Sequence, residues 1–206
     1  LDLEVGEARF CQVGRVLIPQ WGLSGPATLR LTAFAARALQ SSRYQAKLKV
    51  SWAGSVTQEQ LRVALREQRI QAARRTLAAS RPLAEQLPRR LWMAMLTSAG
   101  VPSEQRWSDL PGRFEQRLLQ QLHRCHYTVK GRGPFGEEFV TAGGVDLGDI
   151  DLARMESRRC PGLHVAGELL DVDGVTGGFN FQHCWTSGWL AGQAAALALT
   201  ESDQKC

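Results

Sequence analysis

Two glycine-rich stretches are the places where this sequence could work on a ligand. The first, GRGPFG, sets Gly131, Gly133 and Gly136 in the spacing G-x-G-x-x-G. That fingerprint holds a pyrophosphate only where a helix opens at the loop, because the amides of the helix N-terminus do the holding. Here Pro134 removes an amide donor inside the loop, and EEFVTAGG behind it reads as strand. A tight turn between strands is the better account. The second stretch, DVDGVTGGFN, runs into FQHCWTSGWLAGQAAALALT. Gly177 and Gly178 let backbone amides approach a flat ligand closely. The first-turn amides of a helix beginning near Asn180 are unpaired within the helix and carry partial positive charge. They suit negative charge developing at the pyrimidine end of a flavin ring. A glycine-rich turn ahead of a core helix explains the same spacing equally well, and the residues alone leave both readings open.

The elements that must position these loops follow from periodicity. Residues 1–20 alternate loosely and include the apolar stretch Val13 to Ile18, which predicts short strands. Pro26 opens a helix over about 25–39, with Leu29, Ala33, Ala36 and Leu39 at helical spacing. Tyr44 to Trp52 alternates as a strand. Thr57 with Gln60 makes a capping box, and Leu61, Leu65, Ile70, Ala73 and Leu77 continue a helical stripe up to Pro82. Pro88 and Gly100 bracket another helix, and a further one starts near Pro111 with Phe114, Leu118, Leu119 and Leu122 as its apolar face. CHYTVK and EEFVTAGGV read as strands, IDLARMES as a short turn or helix, and LHVAG as a buried strand. Gly188, Ala191, Gly192 and Ala194 to Ala196 keep the last helix slim enough to lie against a sheet.

Composition narrows the class. With 206 residues, 44% hydrophobic and 22% charged, the chain is ordinary for a globular protein of one large or a few small domains. No apolar run reaches the length of a membrane span, and neither GxxxxGK[ST] nor GxSxG occurs, which argues against a P-loop nucleotidase and a typical serine hydrolase. LDLEVGEARF has neither the basic start nor the apolar stretch of a signal peptide and lacks an initiator Met, so a processed start or a fragment is expected. The five scattered cysteines form no CxxC and read as reduced thiols of a cytoplasmic protein, and no metal site is expected, His123, Cys125 and His126 being the only close group of ligand types. The net charge of +5 hides a division. Residues 58–126 carry 12 Arg against 6 Asp or Glu, whereas residues 137–206 carry 4 Lys or Arg against 11 Asp or Glu. The arginines are interleaved with apolar residues at helical spacing, so a solvated helix face is expected, with a basic RNA- or DNA-binding module over 57–124, or a folded module without catalysis, as the alternatives.

The C-terminal third is more particular than such patterns require. TAGGV (Thr141–Val145), MESR (Met155–Arg158), PGLHVAGELLDVDGVTGGFNFQ (Pro161–Gln182) and the helix Trp185–Gly192 together resemble the signature of a bacterial family of NAD(P)/FAD-dependent oxidoreductases with aminoacetone-oxidase-like and bile-acid-reductase-like members. Arg158 stands where that signature has Lys. WGLSGPATLR (Trp21–Arg30) and LPRRLW (Leu87–Trp92) also resemble family segments. The resemblance implies a mixed α and β protein: a β-barrel-like domain over 1–56 and 125–139, a helical insert over 57–124, and a C-terminal piece over 140–206 that closes a discontinuous Rossmann-like FAD domain. The N-terminal piece with the true fingerprint is missing from this chain, so the chain alone is expected to bind FAD weakly or not at all. By the same resemblance Thr141, Ala142, Gly143 and Gly144 pass beside the flavin ring. Gly167 and Glu168 end a strand near the ribityl and pyrophosphate region, with Asp171 and Asp173 in the loop after it, where Asp173 either serves the cofactor or caps a turn. Thr176, Gly177, Gly178, Phe179 and Asn180 line the pyrimidine edge, with Gln182 nearby. The resemblance implies FAD and a small-molecule substrate as partners, leaves NAD(P)H or oxygen open as redox partner, and assigns no catalytic acid or base. His183 reads as structural.

Overall fold

The structure is a computed structural model that describes residues 1–83, 87–133 and 141–203. The chain divides into two compact units, one of Leu1–Gly14 with Tyr44–Gly131 and the other of Arg15–Arg43 with Arg132–Cys206.

In the first unit, strands β1 (Asp2–Val5), β2 (Ala8–Cys11), β3 (Ala46–Val50) and β4 (Cys125–Val129) form an antiparallel sheet in the order β2-β1-β3-β4. The β3–β4 register runs from Ala46 opposite Val129 to Val50 opposite Cys125. Alternation sends Leu3, Val5, Ala46, Leu48 and Val50 inward, while Lys47 faces water and Lys49 pairs with Glu4 at 2.6 Å. The described strands make an open sheet with β2 and β4 at its edges, and no closure into a barrel joins them. The apolar stretch Val13 to Ile18, expected as strand, forms none. Val13, Leu17 and Ile18 are exposed, and Leu17 makes only an isolated bridge to Ser24.

Three helices follow β3: α2 (Gln58–Gln71), α3 (Arg89–Ser98) and α4 (Gly112–His123). The Thr57–Gln60 capping box forms in both directions. The expected stripe ends early, because α2 stops at Gln71. Ile70 is left exposed, while Leu77 is buried from an irregular segment beyond the helix. That segment pairs its backbone with residues 105–108, through Leu77 N–H to Gln105 O and Trp107 N–H to Arg75 O. Pro88 precedes α3, and Gly100 takes φ +70° just past its end, where a side chain would be strained. In α4 the four predicted apolar residues are all buried. They meet Leu61, Leu65, Trp92 and Trp107 in one continuous core. The Trp92 and Trp107 rings stack at 6.3 Å, and their indole N–H groups reach Leu77 O at 2.7 Å and Ser80 Oγ at 2.8 Å. Buried tryptophans need such acceptors, so the irregular loop 77–80 is built around them.

The second unit combines α1 (Pro26–Ser41) with the C-terminal stretch. IDLARMES is a small hairpin, β5 (Ile150–Asp151) with β6 (Glu156–Ser157), turned by Met155 at φ +52°. LHVAG is not the buried strand its composition predicts. Val165 is buried and its N–H bonds to Met155 O, and the chain then winds into a 3-10 turn over Gly167–Leu169. Its pairing with the β6 edge stops at one antiparallel bridge, His164 opposite Glu156, with Ser157 N–H bonded to Leu163 O at 2.8 Å, and so short a pairing makes no strand. The expected strand EEFVTAGGV lies mostly outside the described residues. Its described part, residues 141–145, is loop, with Val145 in one parallel bridge to Leu170. Of GRGPFG, Gly131 to Gly133 are described as irregular backbone and the rest lies outside the described residues. Ile150, Met155, Val165 and Leu170 form a small core with Leu147, Val172, Leu190 and Ala191. The last helix, α5 (Phe179–Asp203), begins directly after the paired glycines. Among the described residues, no helix is long and apolar enough to cross a membrane.

Candidate functional site

All the singled-out residues of the C-terminal signature lie in the second unit, and backbone contacts bring most of them together. Gly144 makes the closest approach to main chain. A Cβ built there would lie 2.5 Å from the carbonyl carbon of Leu170 and 2.6 Å from the carbonyl oxygens of Leu169 and Leu170. Those atoms are main chain and cannot rotate aside, so only glycine lets the 141–145 loop lie on the 169–171 segment. Two hydrogen bonds fasten the contact, Val145 N–H to Leu169 O at 2.7 Å and Asp171 N–H to Val145 O at 3.0 Å. One residue earlier, Gly143 takes φ +106° with open space around it, and its N–H donates to Asp173 Oδ1 at 3.3 Å. Asp173 thus accepts a turn amide from across the loop.

A second set of contacts ties the loop to the start of α5. Gly174 N–H donates to Asn180 Oδ1 at 2.8 Å, and Asn180 Nδ2 donates back to Gly174 O at 3.3 Å. The Asn180 amide therefore substitutes for a short ladder and closes 174–180 into a fixed loop. Inside it Gly177 and Gly178 adopt φ +129° and +91°, and Gly178 has nothing within 4 Å of where a Cβ would stand. Thr176 to Phe179 are exposed. The first amide of α5 with an acceptor in this turn is that of Gln182, which bonds to Gly178 O at 3.0 Å. The amides before it have no intrahelical acceptor and point out of the helix N-terminus. Gly167, at φ +69°, sits against Cys184 and donates its N–H to Ser187 Oγ at 2.9 Å, while the buried Ser187 hydroxyl donates to His183 O at 2.7 Å.

Other predicted residues stay outside this network. Glu168 is exposed on the 3-10 turn, Thr141 and Ala142 add no side-chain hydrogen bond among the described residues, and Gln182 bonds along its own helix to Thr186. Sequence reasoning missed Arg37 and Ser187. Arg37, on α1, hydrogen-bonds the Asp171 carboxylate and lies 3.6 Å from Asp173 Oδ2. It balances two carboxylates in an acidic stretch, from a position 134 residues away in sequence that no local pattern marks.

The donor set fits a flat anionic ligand such as a flavin. Gly143 and Gly178 leave open faces that side chains would fill, the α5 amides supply partial positive charge, and Arg37 offsets carboxylates that would repel a phosphate.

Comparison with known proteins agrees at the level of family. The family model described as HI0933-like protein Rossmann domain matches residues 19–194, and the chain belongs to that family. A ribosomal RNA dihydrouridine synthase of Escherichia coli is 33% identical over 178 residues, which is 86% of this chain and 41% of that protein. The Haemophilus influenzae protein of the same name is 32% identical over 114 residues, 55% of this chain and 27% of that protein. A 3-dehydro-bile acid delta(4,6)-reductase of Clostridium scindens is 42% identical over 90 residues, 44% of this chain and 20% of that protein. The chain thus matches about two fifths or less of the length of these curated relatives. All three relatives are named as enzymes.

Proposed function

We propose that this chain is the closing part of an FAD-dependent reductase that adds two hydrogens across a carbon–carbon double bond conjugated to a carbonyl. The observation that carries the reading is the pinned glycine loop 174–180 at the start of α5. It holds open amides and a side-chain-free face toward one side, backed by the Gly144 contact. The relatives' names supply the reaction class. A 3-dehydro-bile acid with a delta(4,6) system and the uracil of uridine both contain a double bond conjugated to a carbonyl, and both names describe its saturation.

In this reading Thr176 to Asn180 face the pyrimidine edge of the flavin, Gly143 and Gly144 lie beside the ring, and Gly167 and Glu168 lie toward the ribityl and pyrophosphate. When bound, reduced FAD would supply the hydride and solvent the accompanying proton, with NAD(P)H proposed as the class of donor that would replenish it. The chain's own residues bind and orient. Asn180 fixes the loop, Asp173 holds the Gly143 amide, and Arg37 keeps Asp171 and Asp173 from repelling a phosphate. The remaining part of the FAD domain, with the phosphate fingerprint, is proposed to come from sequence outside residues 1–206. The exposed aromatic side chains Phe181, Trp185 and Trp189, at four-residue spacing on α5, support that reading as a surface awaiting cover.

The test is an FAD titration of this chain and of a version extended upstream, followed by flavin absorbance and fluorescence. Tight binding by the extended version alone is expected. Binding by neither removes the flavin reading, and tight binding by the isolated chain removes the split site.

A further inference from the structure

The arginines of the first unit are not spread evenly. Helix α4 reads GRFEQRLLQQLH and is capped by Arg124. Phe114, Leu118, Leu119 and Leu122 take its inner face. At 100° per residue, Arg113, Arg117 and Arg124 fall together on the opposite face with Gln120, and all four are exposed. The helix has one carboxylate, Glu115, which the same spacing puts on the inner side between Leu122 and Leu119, half-buried and 3.9 Å from Arg69. The outer face of α4 is therefore cationic, carboxylate-free and able to donate hydrogen bonds along its length.

Two of the guanidinium groups are already held in place. Arg117 Nη1 donates to Ala99 O at 3.2 Å, and the Arg113 guanidinium lies 4.9 Å over the Phe114 ring. Among the described residues, neither they nor Arg124 make an ion pair with a carboxylate. Helical rise places Arg113 and Arg117 about 6 Å apart along the axis and Arg124 about 10 Å further on. Three planar, permanently charged groups in a row suit a phosphodiester backbone, and a merely solvated face does not need pre-oriented arginines without acidic neighbours.

We infer that the outer face of α4 is a docking surface for structured RNA. Charge complementarity names the occupant, and the comparisons point the same way. A continuous match of 178 residues in a chain of 206 necessarily includes residues 29–178, so the E. coli ribosomal RNA enzyme is matched across the whole of α4. The inference rests on the proposed reductase function for what the RNA is for, namely a uridine-bearing substrate, and on α4 for where it binds. A solvated face, as the sequence predicts for this helix, is the alternative that the test decides for or against.

The test measures binding of a transcribed, uridine-containing ribosomal RNA stem-loop to the upstream-extended protein as salt is varied. Replacing Arg113, Arg117 and Arg124 together by Gln keeps helix propensity. It is expected to weaken binding roughly tenfold or more and to flatten the log–log salt slope by about 2, as the loss of three phosphate contacts requires. The corresponding triple Lys variant should keep most of the affinity and slope. Flavin uptake, and reduction of a small soluble enone, should be unchanged in both. An unchanged slope in the Gln variant overturns the inference. So does an equal loss on replacing Arg62 and Arg66 of α2 by Gln, which would mean diffuse attraction. A wild-type protein that takes up flavin and reduces the enone but binds no RNA overturns the docking surface alone. One that binds RNA through α4 but takes up no flavin overturns the reductase reading alone.

Discussion

Replacing Gly144 by Ala tests the contact on which the candidate site is built. The added Cβ would stand 2.5–2.6 Å from three main-chain atoms of Leu169 and Leu170, where real Cβ atoms essentially never lie. The 141–145 loop must therefore move away by roughly 1 Å to reach ordinary van der Waals distance. A shift of that size stretches the 2.7 Å Val145–Leu169 bond and the 3.0 Å Asp171–Val145 bond beyond hydrogen-bonding range. Two backbone bonds at about 1 kcal/mol each, with about 1–2 kcal/mol of displaced packing, give an expected loss of roughly 3 kcal/mol. Urea denaturation should show a lower midpoint at unchanged slope, and hydrogen exchange should show the Val145 and Asp171 amides losing protection. Gly143→Ala is the instructive comparison. It meets no atom within 4 Å, but forces a side chain to φ +106°, so its cost is backbone strain without loss of those two bonds. Wild-type midpoint and amide protection in Gly144→Ala would refute the close-approach argument.

Three further outcomes are expected. Asn180→Ala removes both bonds to Gly174 and should cost about 1–2 kcal/mol, read as faster exchange of the Gly174 amide. If flavin affinity in the extended protein is unmoved by it, the loop does not line the cofactor. Trp92→Ala leaves a cavity at the centre of the helical core and orphans Leu77 O, so the helical module should lose about 3–5 kcal/mol in denaturant unfolding. A loss below 1 kcal/mol would mean that this core does not hold the three helices. Burial, with the Cys125 thiol beside it, pushes the Tyr127 hydroxyl up to about 12. The folded state therefore keeps a proton that the unfolded chain releases near pH 10, and stability present below pH 10 should fall between pH 10 and 12. In a Tyr44→Phe variant Tyr127 is the sole tyrosine, and a tyrosinate absorbance step near pH 10 would contradict the assignment.

Local rules carried the helices well. Thr57 with Gln60, Pro26, Pro88 and Gly100 each act within one turn of their own position, so caps and ends follow from neighbouring residues. The buried face of α4 was equally readable, because its apolar residues keep helical spacing from Phe114 to Leu122. The two strand misreadings share one cause. A strand needs a partner along its length as well as a propensity, and Val13 to Ile18 and LHVAG each make only one isolated bridge among the described residues, Leu17 to Ser24 and His164 to Glu156. Leu77 was placed on a helix by period alone. It is buried instead by a backbone pairing with 105–108, set by the two tryptophans that the loop must satisfy.

The candidate site divides along the same line. The glycines that must be glycine can be suspected from their density, but the sequence does not say which of them faces a ligand and which faces the chain's own backbone. Gly144 and Gly174 are closed by the Leu170 carbonyl and the Asn180 amide, whereas Gly143 and Gly178 open onto space. That separation is what turns a glycine-rich motif into a directional one. The first pair fixes the loops, and the second pair leaves room beside them. Arg37 completes the arrangement from a distant helix. An acidic stretch of net −7 over residues 137–206 would repel the phosphates of a dinucleotide. With Arg37 between Asp171 and Asp173, the carboxylates nearest the loop are partly neutralised where a cofactor would approach. The arginines of α4 differ in kind, because no carboxylate of their own helix face answers them. One part of the molecule thus pairs its cations internally, and another leaves them available to an outside anion. Charge balance within each segment, rather than the net charge of the chain, is what distinguishes the proposed cofactor loop from the proposed RNA surface.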